Sequence, residues 1–312
     1  MVVGVTGASG FIGSALVRRH LEAGDVVRCL TRHAGRPVPP GARTIQADLC
    51  APDDRLARFA DGLDVLYQCA GELTDPVRMP AVNVQAVENL LAAASGRIGR
   101  WVQLSSAGVY GRYRTGTVTE ETPLDPPDTY ERTKACADVL VLDAVARGRI
   151  ASVAVLRPSI VFGPGMRNGS LAQWIRMIDR GLFFFIGEEG ASANYVHVAN
   201  VVDALVLLGA RPEAHGRVYN LSDWCTVEAF VGAIAYALGR PRPVFRLPER
   251  PVRHAVRVLG RVVPLPLTES RIDALVGRGR YAIDRLRDDL QYSIGISIAE
   301  GLMDLVEQRK AA

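Results

Sequence analysis

The segment Thr6-Gly7-Ala8-Ser9-Gly10-Phe11-Ile12-Gly13 follows a β-branched run at 2–6 and leads into an apolar-periodic stretch at 14–22. Its glycines are spaced G-x-x-G-x-x-G. Without Cβ atoms the chain can turn tightly, bring backbone N–H groups close to a pyrophosphate and pack a helix hard against a strand, while the helix N-terminus favours negative charge. A merely structural loop is the competing reading. At a first β-α junction, where a doubly wound sheet binds dinucleotides, the spacing points to Gly7, Ser9, Gly10, Phe11 and Ile12 as cofactor-binding residues.

The next 150 residues alternate short β-branched runs (26–30, 63–69, 100–104, 152–156) with helix-compatible segments, among them 82–94 and 130–146. This pattern predicts an α/β fold, a Rossmann-type doubly wound parallel sheet covered on both faces. Pro37, Pro39 and Pro40 mark a loop, and Gly163-Pro164-Gly165 breaks the alternation. Residues 1–165, with 190–210 returning to them, are expected to form the dinucleotide-binding domain. Segments 166–189 and 211–312, shorter in their elements and richer in Pro and Arg, are expected to form a smaller α/β substrate-binding domain.

Composition narrows the function. The 312 residues exceed one ordinary core, and 48% apolar with 22% charged residues fit a globular protein. A net charge of +4 with only 6% aromatics gives neither a basic stripe nor a stacking platform, so nucleic acid is not an expected partner. The cysteines (Cys29, Cys50, Cys69, Cys136, Cys225) are odd in number and scattered, reading as reduced thiols with no metal site. The start Met1-Val2-Val3 has no leader pattern, and no apolar run approaches the roughly 20 residues of a membrane span, so a cytoplasmic location is expected.

Two further places carry chemistry. After the second strand comes Leu30-Thr31-Arg32-His33 and then Arg36, without the acid an NAD-preferring site uses on the ribose hydroxyls. Arg32, with Arg36, could pair with a 2′-phosphate, which favours NADP over NAD, or could be a solvated loop arginine. Asp48-Leu49 could meet the adenine or form a turn. Tyr130-Glu131-Arg132-Thr133-Lys134 puts a phenol and an ammonium one helical turn apart, downstream of Leu104-Ser105-Ser106-Ala107-Gly108-Val109-Tyr110-Gly111 at a strand end facing the same crevice. Lys134 and a positive nicotinamide would depress the Tyr130 pKa so that it shuttles a proton, while Ser106 orients the substrate oxygen and hydride passes to or from the cofactor.

With these motifs the chain resembles the extended short-chain dehydrogenase/reductase family, the NAD(P)-dependent epimerase/dehydratase group, over nearly its whole length. The resemblance extends to Gln68-Cys69-Ala70-Gly71, similar to the family's cofactor-lining strand end, and to Asn83, similar to its helix-kinking Asn. It continues through Arg157-Pro158-Ser159-Ile160-Val161-Phe162-Gly163, Asn194-Tyr195-Val196-His197-Val198 and Val218-Tyr219-Asn220-Leu221. It implies Ser106 rather than Ser105 as the catalytic serine, and Cys69, Ala70, Gly71, Asn83, Pro158 and Ile160 beside the cofactor. Ala107, Gly108 and Asn168 would meet substrate, and the chain would form a homodimer through the helices before and containing Tyr130.

Departures from the family pattern narrow the reaction. Ala107-Gly108 stands where 4,6-dehydratases carry Asp-Glu, and the reactive Cys of 3,5-epimerase-reductases is missing. A 4-epimerase or 4-ketoreductase acting on a nucleotide-sugar remains, and 168–170 and 182–187 resemble polysaccharide-cluster members. Ala193-Asn194 replaces the Arg-Asp with which sugar epimerases grip a diphosphate, so Arg271 or Arg278 would have to supply that charge. An NADP-dependent alcohol dehydrogenase or reductase of a steroid-like substrate, and a non-catalytic nucleotide-binding protein, are the alternatives. Arg250, His254, Arg257 and Arg261 share a helical face opposite Val252, Val256 and Leu259, read as a solvated basic face or as peripheral contact with an anionic membrane. His197 reads as a satisfied histidine at a strand end.

Overall fold

The computed structural model describes the chain apart from residues 34, 36, 112, 114, 167–168, 260–266 and 312 and the side chains of 270, 310 and 311. Arg36, Asn168 and Arg261 therefore lie outside the described residues. The valine-rich runs form a seven-stranded sheet from β1 (Val2–Thr6), β2 (Val26–Thr31), β3 (Arg43–Gln46), β4 (Leu63–Gln68), β5 (Ile98–Leu104), β7 (Val153–Pro158) and β11 (Arg217–Leu221). Their order is β11-β7-β5-β4-β1-β2-β3, and each neighbouring pair runs parallel. The strand order therefore reverses beside β1, and the carboxyl ends of β1, β4 and β5 open on one crevice.

The parallel strands are apolar on both sides because helices cover both faces. On one face α1 (Phe11–Glu22) and α6 (Val198–Ala210) pack Leu16, Val17, Leu205 and Leu208 against Val3, Val5 and Tyr67. On the other, α2 (Asp54–Ala60), α3 (Ala86–Ala94) and α4 (Thr129–Ala146) set Leu56, Phe59, Leu90, Leu91 and Val141 against Leu66, Trp101 and Val153. The predicted helix 82–94 is interrupted. Its first turn is a wide one at Pro80–Gln85, where the Ala86 N–H donates to the Ala81 carbonyl five residues back, and α3 begins only at Ala86.

A second core of Phe162, Leu171, Ile175, Phe183, Phe185, Tyr195, Phe230, Ile234, Leu302 and Val306 belongs to the substrate unit. It gathers α5 (Gly169–Asp179), α7 (Val227–Leu238) and α11 (Ile298–Ala311). Around it lie a three-stranded sheet of β8 (Ile160–Phe162), β10 (Ser192–His197) and β12 (Asp223–Thr226), and the two-stranded pairs β9 (Phe185–Ile186) with β13 (Arg246–Leu247) and β6 (Thr117–Val118) with β14 (Arg280–Tyr281).

The boundary drawn from composition is corrected at two places. β11, expected in the substrate unit, pairs in parallel with β7 and closes the main sheet, and Leu286 and Leu290 of α10 (Asp284–Leu290) join the core beneath it. Within 190–210, α6 packs on the main sheet, while Ala193 and Tyr195 of β10 join the second core. The chain passes between the two units more than once, so a single composition step could not mark the boundary. No helix of the described residues is long and apolar enough to cross a membrane.

Candidate active site

Gly7 has φ +66°, and a Cβ there would sit 2.7 Å from the Cys69 carbonyl and the Ala70 nitrogen; a Cβ on Gly13 would fall 2.2 Å from the Gly7 oxygen. These glycines let the β1–α1 loop lie against the end of β4. Thr6, fully buried, ties the same two strands: its hydroxyl accepts from Cys69 N and Ala70 N at 3.1 Å each and donates to Gln68 Oε1. α1 follows the N-cap Gly10, which makes no side-chain cap hydrogen bond, and has no acid in its first turn, so no capping side chain occupies the first-turn N–H groups, among them Phe11 and Ile12, at the positive end of the helix. That donor set fits a pyrophosphate, which Gly10, Phe11 and Ile12 would hold with Ser9 beside them. The nicotinamide of a bound dinucleotide gives or accepts hydride.

At the adenosine end, Arg32 is exposed at the tip of β2, its Nε 3.0 Å from His33 Nε2. Asp48 Oδ1 accepts from Cys50 N at 2.9 Å, so this acid shapes a turn. Leu49, expected at the cofactor, is 8% exposed and packs in the core with Leu30 and Leu56. Asn83 is corrected in the same way. Its Oδ1 accepts from Glu72 N (2.7 Å) and its Nδ2 donates to Glu72 O and Thr133 Oγ1 (3.0 Å each), so the amide is consumed in joining the loop after Gly71 to the turn that carries Lys134. Pro158 is buried at the end of β7, whereas Ile160 is exposed beyond it.

Tyr130 and Glu131 occupy the first turn of α4, and Lys134 follows one turn on. Lys134 is buried at the end of β5 and its Nζ donates to the Leu104 carbonyl; burial lowers its pKa, opposed in part by Asp138 and Cys69. Burial, reinforced by the Glu131 and Asp138 charges, pushes the Tyr130 phenol up to about 12. The depressed phenol expected from the sequence is therefore not a property of the protein alone. A positive nicotinamide bound beside it would act in the opposite direction.

The two adjacent serines are separated by what they bond. Ser105 is buried and donates to Asp138 Oδ2 at 2.8 Å, whereas Ser106 starts the short turn Ala107–Tyr110, its Oγ accepting from Gly108 N at 3.1 Å on the crevice side. Ala107, expected against substrate, is 1% exposed, which leaves Gly108 to line the site. Asp138 was not singled out in the sequence, although it stands a further turn beyond Lys134 on the same helix face. Arg157 Nε donates to its Oδ2 at 3.0 Å, Arg157 Nη1 donates to the Tyr110 hydroxyl at 2.9 Å, and Tyr110 donates to Asn220 Oδ1 at 2.8 Å. Burial opposes the Arg157 charge, but Asp138 and Tyr110 outweigh it and raise its pKa.

In the substrate unit a cleft of about 970 Å³ is lined by Gly187, Leu247 and Val276 and rimmed by Arg246, Arg250, Arg278 and three glutamates. Arg278 reaches this rim, its Nη2 donating to the Glu189 carbonyl at 2.6 Å. Arg271 instead donates to Gln173 Oε1 at 3.1 Å and does not line the cleft. α8 (Glu249–Leu259) forms, but Arg253 pairs with Glu249 and Asp273, and Arg257 with Glu269, so much of its basic charge is neutralised. His197 caps α6, its Nδ1 accepting from Ala199 N at 3.3 Å.

A doubly wound sheet with a glycine-loop dinucleotide site and a Ser, Tyr and Lys set at its carboxyl edge defines a nicotinamide-dependent enzyme fold. Residues 3–222 match the model of the NAD dependent epimerase/dehydratase family, and the chain belongs to that family. It is 32% identical over 261 residues to the dTDP-glucose 4,6-dehydratase of Streptomyces griseus, covering 75% of this chain and 78% of that one. It is 27% identical over 315 residues to a 3 beta-hydroxysteroid dehydrogenase/Delta 5-->4-isomerase of Mycobacterium tuberculosis, covering 92% and 85%. Among solved structures, MoeE5 in complex with UDP-glucose and NAD matches with a TM-score of 0.77 and 25% identity over 100% of both chains. The protein is an enzyme of the extended short-chain dehydrogenase/reductase type, from an NAD-dependent family of epimerases, dehydratases and reductases.

Proposed function

We propose that this enzyme is a cytoplasmic nucleotide-sugar 4-epimerase or 4-ketoreductase. Tyr130 takes the proton of the C4 hydroxyl, Ser106 holds the same oxygen, hydride leaves C4 for the nicotinamide, and the 4-keto sugar is reduced from its other face or released. Lys134, one turn further along α4, is assigned the positive charge that assists the phenol. The observation that supports the reading is the arginine cluster at the rim of the cleft in the substrate unit: Arg246 is held by Glu228 at 2.7 Å and Arg278 by Glu188 and the Glu189 carbonyl, so Arg250 is the cation left to meet a diphosphate that Ala193-Asn194 cannot grip. An apolar steroid would find six ionic side chains there. The test is incubation with UDP-glucose, followed by NMR of the sugar and absorbance of the nicotinamide. UDP-galactose without net cofactor reduction identifies an epimerase and stoichiometric NAD(P)H a dehydrogenase; no reaction, with a 3β-hydroxysteroid oxidised instead, sinks the reading.

NAD is the cofactor of the family, and within it we assign Arg32 a preference for NADP. A charge-assisted bond to a 2′-phosphate is worth about ten- to a hundredfold in affinity, so Arg32→Ala is expected to weaken NADP(H) by that factor and leave NAD(H) nearly unchanged. Fluorescence titration of both cofactors decides it; equal losses, or none, remove the role.

A homodimer is assigned to the outer face of α4, where Val139 is 60% exposed beside the exposed Cys136. Sedimentation of wild type as a dimer and of Val139→Asp as a monomer is expected; a wild-type monomer discards it.

A further inference from the structure

The helix α8 is not accounted for by the cleft it borders. None of its 11 residues is buried. Its half-buried positions, Glu249, Val252, Arg253 and Val256, share one side, and the pairs Arg253–Asp273 (2.6 Å) and Arg257–Glu269 (3.1 Å) hold the helix against α9 (Glu269–Val276). At about 100° per residue the rest of its surface divides in two. Arg257, Arg250 and His254 form one strip and Pro251, Ala255, Val258 and Leu259 the other, and all seven are exposed. Packing against α9 does not call for an outward apolar strip. The same composition runs upstream: between Gly239 and Leu259 the sequence holds six arginines against one acid, Glu249, and Val244 and Phe245 are 87% and 62% exposed. Arg240, Arg246, Arg253 and Arg257 are ion-paired, whereas Arg242, which donates to the Glu228 carbonyl, and Arg250 meet no carboxylate among the described residues.

We infer that residues 242–259 dock on an anionic phospholipid surface, with the apolar strip of α8 and the preceding Val244 and Phe245 entering the boundary between headgroups and acyl chains. The uncompensated charges of Arg242 and Arg250 supply the attraction. A protein partner fits this face less well. An 11-residue helix is about 16 Å long and about 10 Å wide, and so offers on the order of 160 Å² on one side. Even doubled for Val244 and Phe245, that stays below half of the roughly 800 Å² per partner of a stable protein–protein interface. A bilayer needs no matching surface, and its hold grows with the apolar area entered and the charge attracted. Arg250 and Pro251 also line the cleft, so docking sets the cleft mouth beside the headgroup layer. The inference does not depend on which carbinol is oxidised.

The experiment is co-sedimentation of the full chain with vesicles of phosphatidylcholine alone and of phosphatidylcholine mixed with phosphatidylglycerol, at low and high salt. Wild type is expected to bind the mixed vesicles, to bind phosphatidylcholine far more weakly, and to lose affinity as salt screens the two arginines. Val258→Asp with Leu259→Asp should weaken binding to the mixed vesicles about ten- to a hundredfold. Its urea midpoint and dinucleotide affinity should not change, because both side chains are exposed and neither lines the cleft. Val244→Asp with Phe245→Asp tests the same face from the other side of β13 and should weaken binding as well. A wild type that leaves the mixed vesicles unbound, equal binding to both kinds of vesicle, or binding undiminished in both variants overturns the inference. So does an oligomer in solution that Val258→Asp with Leu259→Asp dissociates, which would give the strip to a second copy of the chain.

Discussion

Replacing Tyr130 with phenylalanine is expected to lower kcat by about 10²–10⁴-fold, the usual worth of a positioned general acid or base, while dinucleotide binding stays nearly unchanged. The hydroxyl is the only atom lost, and the glycine loop that would hold the pyrophosphate is built from β1 and α1. The pH dependence follows from what surrounds the phenol. Burial and the charges of Glu131 and Asp138 push it up to about 12, so in the oxidative direction the group is a poor base until a positive nicotinamide lowers it. Oxidation then requires the deprotonated form and should rise with pH to a plateau, whereas reduction requires the protonated form and should fall. Lys134→Met removes the cation one helical turn from Tyr130, and if that cation assists the phenol as proposed the rising limb moves to higher pH. Rate profiles of wild type and Lys134→Met with saturating cofactor measure this. A Tyr130→Phe enzyme with full turnover would remove the mechanism.

How much of this was legible in the sequence depended on whether the constraint was local. Gly7 and Gly13 could be read because a backbone-to-backbone approach leaves no room for a Cβ, and the spacing between strand and helix states that geometry directly. The Tyr130 and Lys134 pair was legible for the same reason, being one turn apart on one helix. Asn83 pointed correctly to a helix irregularity but not to its use, because the partners that consume its amide, Glu72 and Thr133, come from other segments. The place of β11 is not legible because its pairing with β7 comes after 58 intervening residues that run through the substrate unit and then α6, and nothing in 217–221 distinguishes an edge strand of one sheet from a strand of another. Asp138 is not legible in the sequence because an acid on a helix is ordinarily solvated; its burial at 1% exposure is set by tertiary packing alone.

Asp138 carries the second large effect. Asp138→Leu would leave the Arg157 guanidinium buried at 5% exposure with its carboxylate partner gone, and breaking a buried pair in this way costs about 3–5 kcal/mol of stability. Urea unfolding should show the midpoint falling with the slope unchanged. The damage should extend beyond one contact, since Arg157 also donates to Tyr110, which stacks beneath it at 5.0 Å and bonds Asn220 on β11. Replacing both members, Asp138→Leu with Arg157→Met, removes the stranded charge and should recover most of the lost stability, because a hydrophobic pair of similar volume is often neutral against a buried ion pair. Activity should not return with stability. Asp138 is one of the groups opposing the depression of the buried Lys134, so without it the ammonium pKa drops further and its charge is lost at lower pH. The high-pH side of the rate profile should then begin to fall earlier in the double variant than in wild type. A double variant that is stable and keeps the wild-type profile would show that the network only holds the fold together, whereas a shifted profile at restored stability would make Asp138 a positioning residue for the catalytic lysine.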